Sequence, residues 1–327
     1  MSFVLHKSIK LQIKQNSLET IRISVFGKLM GWTDGETEID SENINEAIEH
    51  QWKNGGVNSM MSFMKGIVGP CVIEISVEND IYFYRLSSDI IPWASEYNLT
   101  DMPNFGAIHA AALSAGNFAR EHGMRLTSHP GPFNKLASPK ERVFELTKTD
   151  LSVHGDLFDL MGLPRTPYAK LNIHVGAAYG DKPFALDNFC RNFERLPDNV
   201  RSRLTVENDD KTSLYSTLEL YEGVYKRIGI PIVFDYHHHM LHPGGQTEQE
   251  ALELALSTWG DIKPVVHYAE SRSLEHNNPK IKPQAHSDLV YNTLDNYGHE
   301  FDIMIEAKHK ELALLQYREN QKCLAAK

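Results

Sequence analysis

The stretch Ile230-Pro231-Ile232-Val233-Phe234-Asp235-Tyr236-His237-His238-His239 decides the fold. Five apolar residues in a row read as a strand buried on both faces, as in a parallel sheet. One carboxylate and three imidazoles follow without a spacer. Polar groups at the end of a buried strand are costly unless something satisfies them, and a divalent cation does so. The alternative for this run alone is a solvated, His-rich loop.

The same grammar recurs along the chain. Strands are expected at Thr20–Phe26, Ile81–Leu86, Met124–Ser128, Lys170–Ile173, Arg203–Val206, Ile230–Phe234, Ile262–Val266 and Phe301–Ile305. Helices are expected between them. One follows Ser41, and others span 107–122, 138–161, 183–195, 217–227, 247–259 and 286–297, with a last one through Leu312–Leu315. Ser138-Pro139-Lys140-Glu141 and Thr247-Glu248-Gln249-Glu250 read as capping boxes. Alternation of short Val/Ile/Leu-rich strands with helices predicts a (β/α)8 TIM barrel. A doubly wound sheet is the alternative, but no glycine fingerprint follows the first strand. One domain is expected over 1–327, with 53–70 unplaced.

Composition narrows the function classes. The 33 Lys and Arg against 43 Asp and Glu give a net charge of −10, which argues against a plain basic nucleic-acid surface. It does not exclude DNA, because bound cations reverse the local sign. Cys71, Cys190 and Cys323 are scattered, which suits a reducing compartment. Met1–Gln15 alternates apolar and basic residues, and no run suits a leader or a membrane span. A cytoplasmic place is expected, nucleoid-associated in a prokaryote, with nucleus or organelle as alternatives.

In a barrel the strand ends meet at one face. His129, His174, Glu207, Asp235, His267 and Glu306 fall at or just past such ends, and His238 and His286 in the loops that follow. Five imidazoles with three carboxylates exceed one tetrahedral zinc and suit two or three borderline cations. Glu207 and Glu306 are the expected bridges. Clustered cations of this kind serve phosphodiester hydrolysis.

The motifs YRLSSD (84–89), SHPGPF (128–133), NIHVG (172–176), GDK (180–182), VENDD (206–210), DYHHH (235–239), AHSD (285–288) and IEAKHKELAL (305–314) together resemble the UV damage endonuclease family, a TIM-barrel group related to endonuclease IV. The resemblance is clearest over 80–316, and residues 1–70 match poorly. It implies a DNA-repair enzyme that nicks duplex DNA immediately 5′ of cyclobutane pyrimidine dimers and 6-4 photoproducts, leaving a 3′-hydroxyl and a 5′-phosphate. It implies the ligands His129, His174, Glu207, Asp235, His238, His267, His286 and Glu306, with manganese as the metal and zinc or magnesium as alternatives. Catalytic roles fall on Glu207, Glu306 and Lys308, and DNA or lesion contacts on Pro132, Phe133, Lys182 and Asn208. A monomer acting on UV-damaged double-stranded DNA is expected.

Three positions depart from the pattern. Pro132 stands where a Gln or His is common, Val265 where a Lys is common, and Gln284 where endonuclease IV has an Asp. Of His237 and His239, one is expected behind the site and the other in solvent, and Asp288 is expected to support His286. An apurinic-site endonuclease and a metal-dependent sugar isomerase remain the competing functions.

Overall fold

A computed structural model of the chain describes residues 76–86, 88, 99–101 and 105–325. The expected strand at 20–26, the helix after Ser41, the stretch 53–70, and Ser87 and Asp89 lie outside the described residues. The chain forms two compact units. One runs to Leu126 and includes Asp156–Leu163, and the other comprises Thr127–Gly155 and Pro164 onward.

Seven strands follow one another in sequential order: β1 (Phe83–Leu86), β2 (Arg125–Ser128), β3 (Leu171–Ile173), β4 (Leu204–Glu207), β5 (Ile232–Asp235), β6 (Val265–Tyr268) and β7 (Asp302–Ile305). Every pairing from β2 to β7 is parallel, with Ile173 opposite Val206, Asp235 opposite His267, and Val266 opposite Ile303. Helices separate the strands: α1 (Phe105–Glu121), α2 (Glu141–Leu160), α3 (Lys182–Phe193), α4 (Thr217–Leu220), α5 (Tyr236–Leu241) and α6 (Glu248–Leu256), with only the short helical turn Arg272–Glu275 between β6 and β7, and α7 (Glu311–Ala325) after β7. Sequential parallel strands with intervening helices are the TIM-barrel plan, and seven of the eight expected strands lie in the described residues. Leu204, Val206, Ile232, Val233, Phe234, Val265 and Val266 are fully buried, as strands packed on both faces require.

Several boundaries differ from the sequence reading, each for a local reason. The helix expected at 286–297 does not form. The N–H groups of Asp288 and Leu289 go to the Glu275 carboxylate, and those of Tyr291 and Asn292 to Glu270. Two distant carboxylates thus take the donors that a helix would use internally. Ser138 does not cap α2. Its hydroxyl accepts the N–H of Lys140 two residues on, and the helical pattern starts from the Lys140 carbonyl. The second expected capping box is present, with Thr247 and Glu250 exchanging both bonds. β6 begins at Val265 rather than at Ile262, so His267 lies within the strand.

The start of β5 is held from outside the sheet. Thr258 Oγ1 accepts the Ile232 N–H at 2.9 Å, and Trp259 Nε1 donates to the Ile232 carbonyl at 2.8 Å. Thr258→Val keeps the shape and removes the acceptor, leaving a buried N–H unpaired. We expect a loss of about 1–3 kcal/mol in unfolding free energy, measured by urea denaturation; an unchanged midpoint would show that Ile232 finds another partner.

Candidate metal centre

All eight expected ligands lie in the unit formed by Thr127–Gly155 and Pro164 onward. The strands place them. Glu207 and Asp235 are the last residues of β4 and β5, His267 lies in β6, and His129, His174 and Glu306 come at or just after the ends of β2, β3 and β7. Asp235 also caps α5: its carboxylate accepts the His238 N–H at 2.8 Å, which turns the first helical turn and brings His238 back over the strand end.

Glu207 is the hub. Its Oε2 lies 3.1 Å from His129 Nε2, 3.1 Å from His267 Nδ1 and 3.8 Å from His174 Nε2, and its Oε1 lies 3.3 Å from His238 Nδ1. Asn172 Nδ2 donates to Oε2, and Thr205 Oγ1 holds the other end of that amide at 2.8 Å. Glu306 Oε1 lies 3.3 Å from His267 Nδ1, and its Oε2 lies 3.7 Å from His286 Nδ1. Donor atoms converge in three groups: His129, His174 and Glu207; Glu207, Asp235 and His238; Asp235, His267 and Glu306. Glu207 and Asp235 are each shared between two of them. His286 stands beside these groups, its ring 6.3 Å from that of His238.

The donor set fits divalent cations on chemical grounds. Glu207 Oε1, Asp235 Oδ2 and His267 Nδ1 are buried without a hydrogen bond. Three imidazoles put one nitrogen on a main-chain carbonyl: His129 Nδ1 on Pro130 at 3.2 Å, His238 Nδ1 on Asn208 at 2.9 Å, and His286 Nδ1 on Glu306 at 3.0 Å. A carbonyl only accepts, so each Nδ1 carries a proton, and in the neutral ring Nε2 keeps its lone pair. This is the arrangement of a metal-ligating histidine. His129 Nε2 faces the Glu207 carboxylate at 3.1 Å, and a cation bound there would take the place of the proton between them.

Electrostatics agree with the crowding. Burial pushes His267 down to about 4, against the pull of Glu207 and with the push of Lys170, so its ring is neutral at pH 7. Burial also opposes charge on His174, but Glu207 and Asp209 outweigh it and raise that ring to about 10. Burial raises Asp235 above the usual carboxylate range, helped by Glu207 and Glu306 despite His238. Burial disfavours the Glu207 carboxylate too, yet the facing imidazoles hold it well below that range. With His267 neutral, His174 supplies the countercharge.

Other expected site residues are placed differently. Asn208 is fully buried. Its amide donates to the Asp235 carbonyl and accepts from the Asp235 N–H, so it positions Asp235. Lys182 bonds Glu219 at 2.6 Å and the Thr212 carbonyl at 3.2 Å, which leaves it bracing the loop after β4. His237 and His239 are both buried, which corrects the expectation that one faces solvent. Asp288 faces His276 and Arg272 rather than His286. Phe133 is 83% exposed beside an exposed Pro132, and Lys308 is exposed past β7.

Three supporting residues escaped the sequence reading. Asn172, Asp209 and the fully buried Lys170 reach Glu207, His174 and His267, with Lys170 Nζ 3.2 Å from His267 Nε2. A charged ammonium only donates, so the neutral His267 ring carries its proton on Nδ1, and a cation bound there replaces it. The alternation Lys170-x-Asn172-x-His174 was the available signal, since period two puts all three on one face of a strand.

The family model described as UV-endonuclease UvdE matches residues 56–324. The chain belongs to that family. A UV DNA damage endonuclease of Bacillus thuringiensis subsp. konkukian (strain 97-27) is 33% identical over 256 residues, spanning 75% of this chain and 77% of the relative. One from Bacillus cereus (strain B4264) is 34% identical over 255 residues, with the same coverage of 75% and 77%. The crystal structure of SacUVDE aligns with a TM-score of 0.68 at 32% identity, covering 82% of this chain and 88% of that one. Endonuclease IV from Thermus thermophilus aligns at 0.52 with 15% identity over 79% and 94% of the two chains, a likeness of fold. Membership makes this chain an endonuclease of UV-damage repair and sets the sugar isomerase aside. Among the described residues no helix is long and apolar enough to cross a membrane.

His237 offers a measurable consequence of this crowding. Burial beside His286 and His238 pushes its ring down to about 4, against about 6.5 when unfolded. The unfolded chain therefore binds the proton more readily. The stability held above pH 6.5 is lost as pH falls toward 4, by up to about 3 kcal/mol. In EDTA-treated protein, His237→Phe is expected to flatten this acid limb in urea unfolding at pH 7, 5.5 and 4.5; parallel curves for the two proteins would rule it out.

Proposed function

We propose that this enzyme nicks duplex DNA immediately 5′ of UV photoproducts, cyclobutane dimers and 6-4 products alike, leaving a 3′-hydroxyl and a 5′-phosphate. The observation that carries this reading is the set of three donor groups linked through Glu207 and Asp235. His129, His174, Glu207, Asp235, His238, His267, His286 and Glu306 would hold two or three manganese ions, with zinc or magnesium as substitutes. Bound divalent cations supply an acidified water and neutralise the charge of the scissile phosphate.

The chain's own residues then have separable tasks. Glu207 and Asp235 lie between donor groups, so each holds two of them at fixed separation. Glu306 joins His267 to the His286 side. Asn172, Asn208 and the three main-chain carbonyls fix the directions in which donor atoms point. Lys308, exposed after Glu306, offers a cation to a neighbouring phosphate.

Recognition falls to the loop after β2. Phe133 projects into solvent from it, where an aromatic ring can enter between base steps that a lesion has already weakened. Pro132 donates no side-chain hydrogen bond, which favours reading distortion over reading one photoproduct's chemistry. We read the enzyme as acting as a monomer, and the relatives' bacterial sources support a cytoplasmic place beside the nucleoid.

The test is nicking of UV-irradiated plasmid by EDTA-treated protein with manganese restored. Wild type should nick damaged and spare undamaged DNA, and a polymerase should extend the nick from its 3′-hydroxyl. Glu207→Gln should lower the rate by about a thousandfold, about 4 kcal/mol. Preference for an abasic duplex over a photoproduct duplex would favour the apurinic-site alternative. Metal-loaded protein that leaves irradiated DNA intact would sink the proposal.

A further inference from the structure

We infer that Tyr179 is a second DNA-facing aromatic, a specificity-determining side chain that stacks on bases unpaired at a lesion beside the Phe133 loop. This rests on the lesion-endonuclease reading above and adds a residue to it.

Tyr179 lies in the connection from β3 to α3, which leaves the same ends of the strands as the Phe133 loop leaves β2. It is 45% exposed, and its φ is +51°. That left-handed conformation suits glycine or asparagine and is costly for a bulky side chain. Tyr297 shares it with a φ of 50°, but there an explanation is at hand: its hydroxyl donates to Glu248 at 3.0 Å. Tyr179 has no such anchor, for its hydroxyl makes no hydrogen bond among the described residues. The turn closed by the Asp181 N–H on the Ala178 carbonyl requires φ above zero at both central residues, Tyr179 and Gly180 (φ 79°), and it bears that cost at a tyrosine whose ring is left in solvent.

The backbone around it is held. Asp181 N–H donates to the Ala178 carbonyl at 2.9 Å, and Tyr215 Oη donates to the Ala177 carbonyl at 3.2 Å. Gly176 lies against the neighbouring loop: a Cβ there would stand 3.2 Å from Lys135 Cγ and 3.3 Å from the Asn134 carbonyl oxygen. Asn134 is the residue after Phe133. It donates to Asp150 at 2.7 Å, and Lys135 N–H donates to Thr147 at 3.0 Å, which fastens the Phe133 loop to α2. The two loops therefore form one fastened platform with an exposed aromatic on each. Rigid aromatics lose little conformational freedom on binding, and a base offers either ring a π-face.

The chemistry recognised is an unstacked nucleobase in distorted duplex DNA, with no preference among bases. The experiment uses the full chain with manganese and a duplex carrying one cyclobutane dimer, with 2-aminopurine flanking the site in the opposite strand. Tyr179→Asn and Tyr179→Gly both accept the left-handed backbone, so either can be read if the other fails to fold. Each is expected to raise KM about tenfold, to change kcat less than about twofold, and to reduce the 2-aminopurine signal on binding. Tyr179→Phe should restore all three. A merely structural residue would lower Tm and kcat without this split.

Wild-type KM and fluorescence in a folded Asn or Gly variant would overturn the assignment, as would failure of Tyr179→Phe to rescue, while leaving the endonuclease reading in place. A wild-type enzyme inactive on the dimer duplex would overturn both.

Discussion

A single buried carboxylate governs this structure. Glu207 is 1% exposed and faces four imidazoles and one amide. A charged group withdrawn from water is tolerated only when compensated, and these partners all come from strands or loops other than its own. The ends of β2, β3, β5 and β6 must therefore lie around the end of β4, which the parallel registers accomplish. Short strands buried on both faces leave no water to compensate the charge instead. The demand for a dry, apolar sheet and the demand for a ring of donors are thus satisfied by the same geometry.

The next layer is mostly main chain. Carbonyls of Pro130, Asn208 and Glu306 each take one imidazole N–H. Two of these carbonyls belong to residues just after the ends of neighbouring strands. A parallel sheet ends in unpaired carbonyls, and this site uses such groups to fix histidine tautomers. Asn208 goes further, reproducing a strand-like pair of bonds with Asp235 beyond the point where the ladder stops. Because these groups are backbone or buried amides, the directions of the lone pairs are set by the fold itself.

That division explains what could be read from the residues alone. A strand that ends in a donor leaves a plain record, an apolar run followed by His, Glu or Asp, so β4, β5 and β7 and the donor residues at their ends were legible. The segment 286–292 left none, because Glu270 and Glu275, which capture its N–H groups, act from the preceding loop and a short helix. The burial of His237 and His239 was equally hidden. It follows from how the Asp235 cap starts α5, and composition says nothing of which way a six-residue helix leans. Lys170 was legible in principle, but a lysine opening a strand usually snorkels to water. Only the contact with His267 distinguishes it. Asn208 and Lys182, read as DNA contacts, are engaged within the protein, a pairing that a polar residue's position near a site does not record.

The overall charge of −10 acquires meaning at this face. Three carboxylates converge there, with His174 and His238 held toward their charged forms and His267 neutral. These charges largely offset one another, so the face alone has little to draw a phosphate backbone. On the proposed assignment, each divalent ion would both satisfy orphaned donors and add the positive potential that DNA meets. Ion occupancy and DNA binding are then linked equilibria, each raising the apparent affinity of the other. A basic surface would attract any DNA at the cost of release from undamaged sites. On the same assignment, a locally positive centre on an acidic chain would confine attraction to the donor cluster, and would leave the rest of the selection to the proposed aromatic contacts and the weakness of the lesion's own stacking.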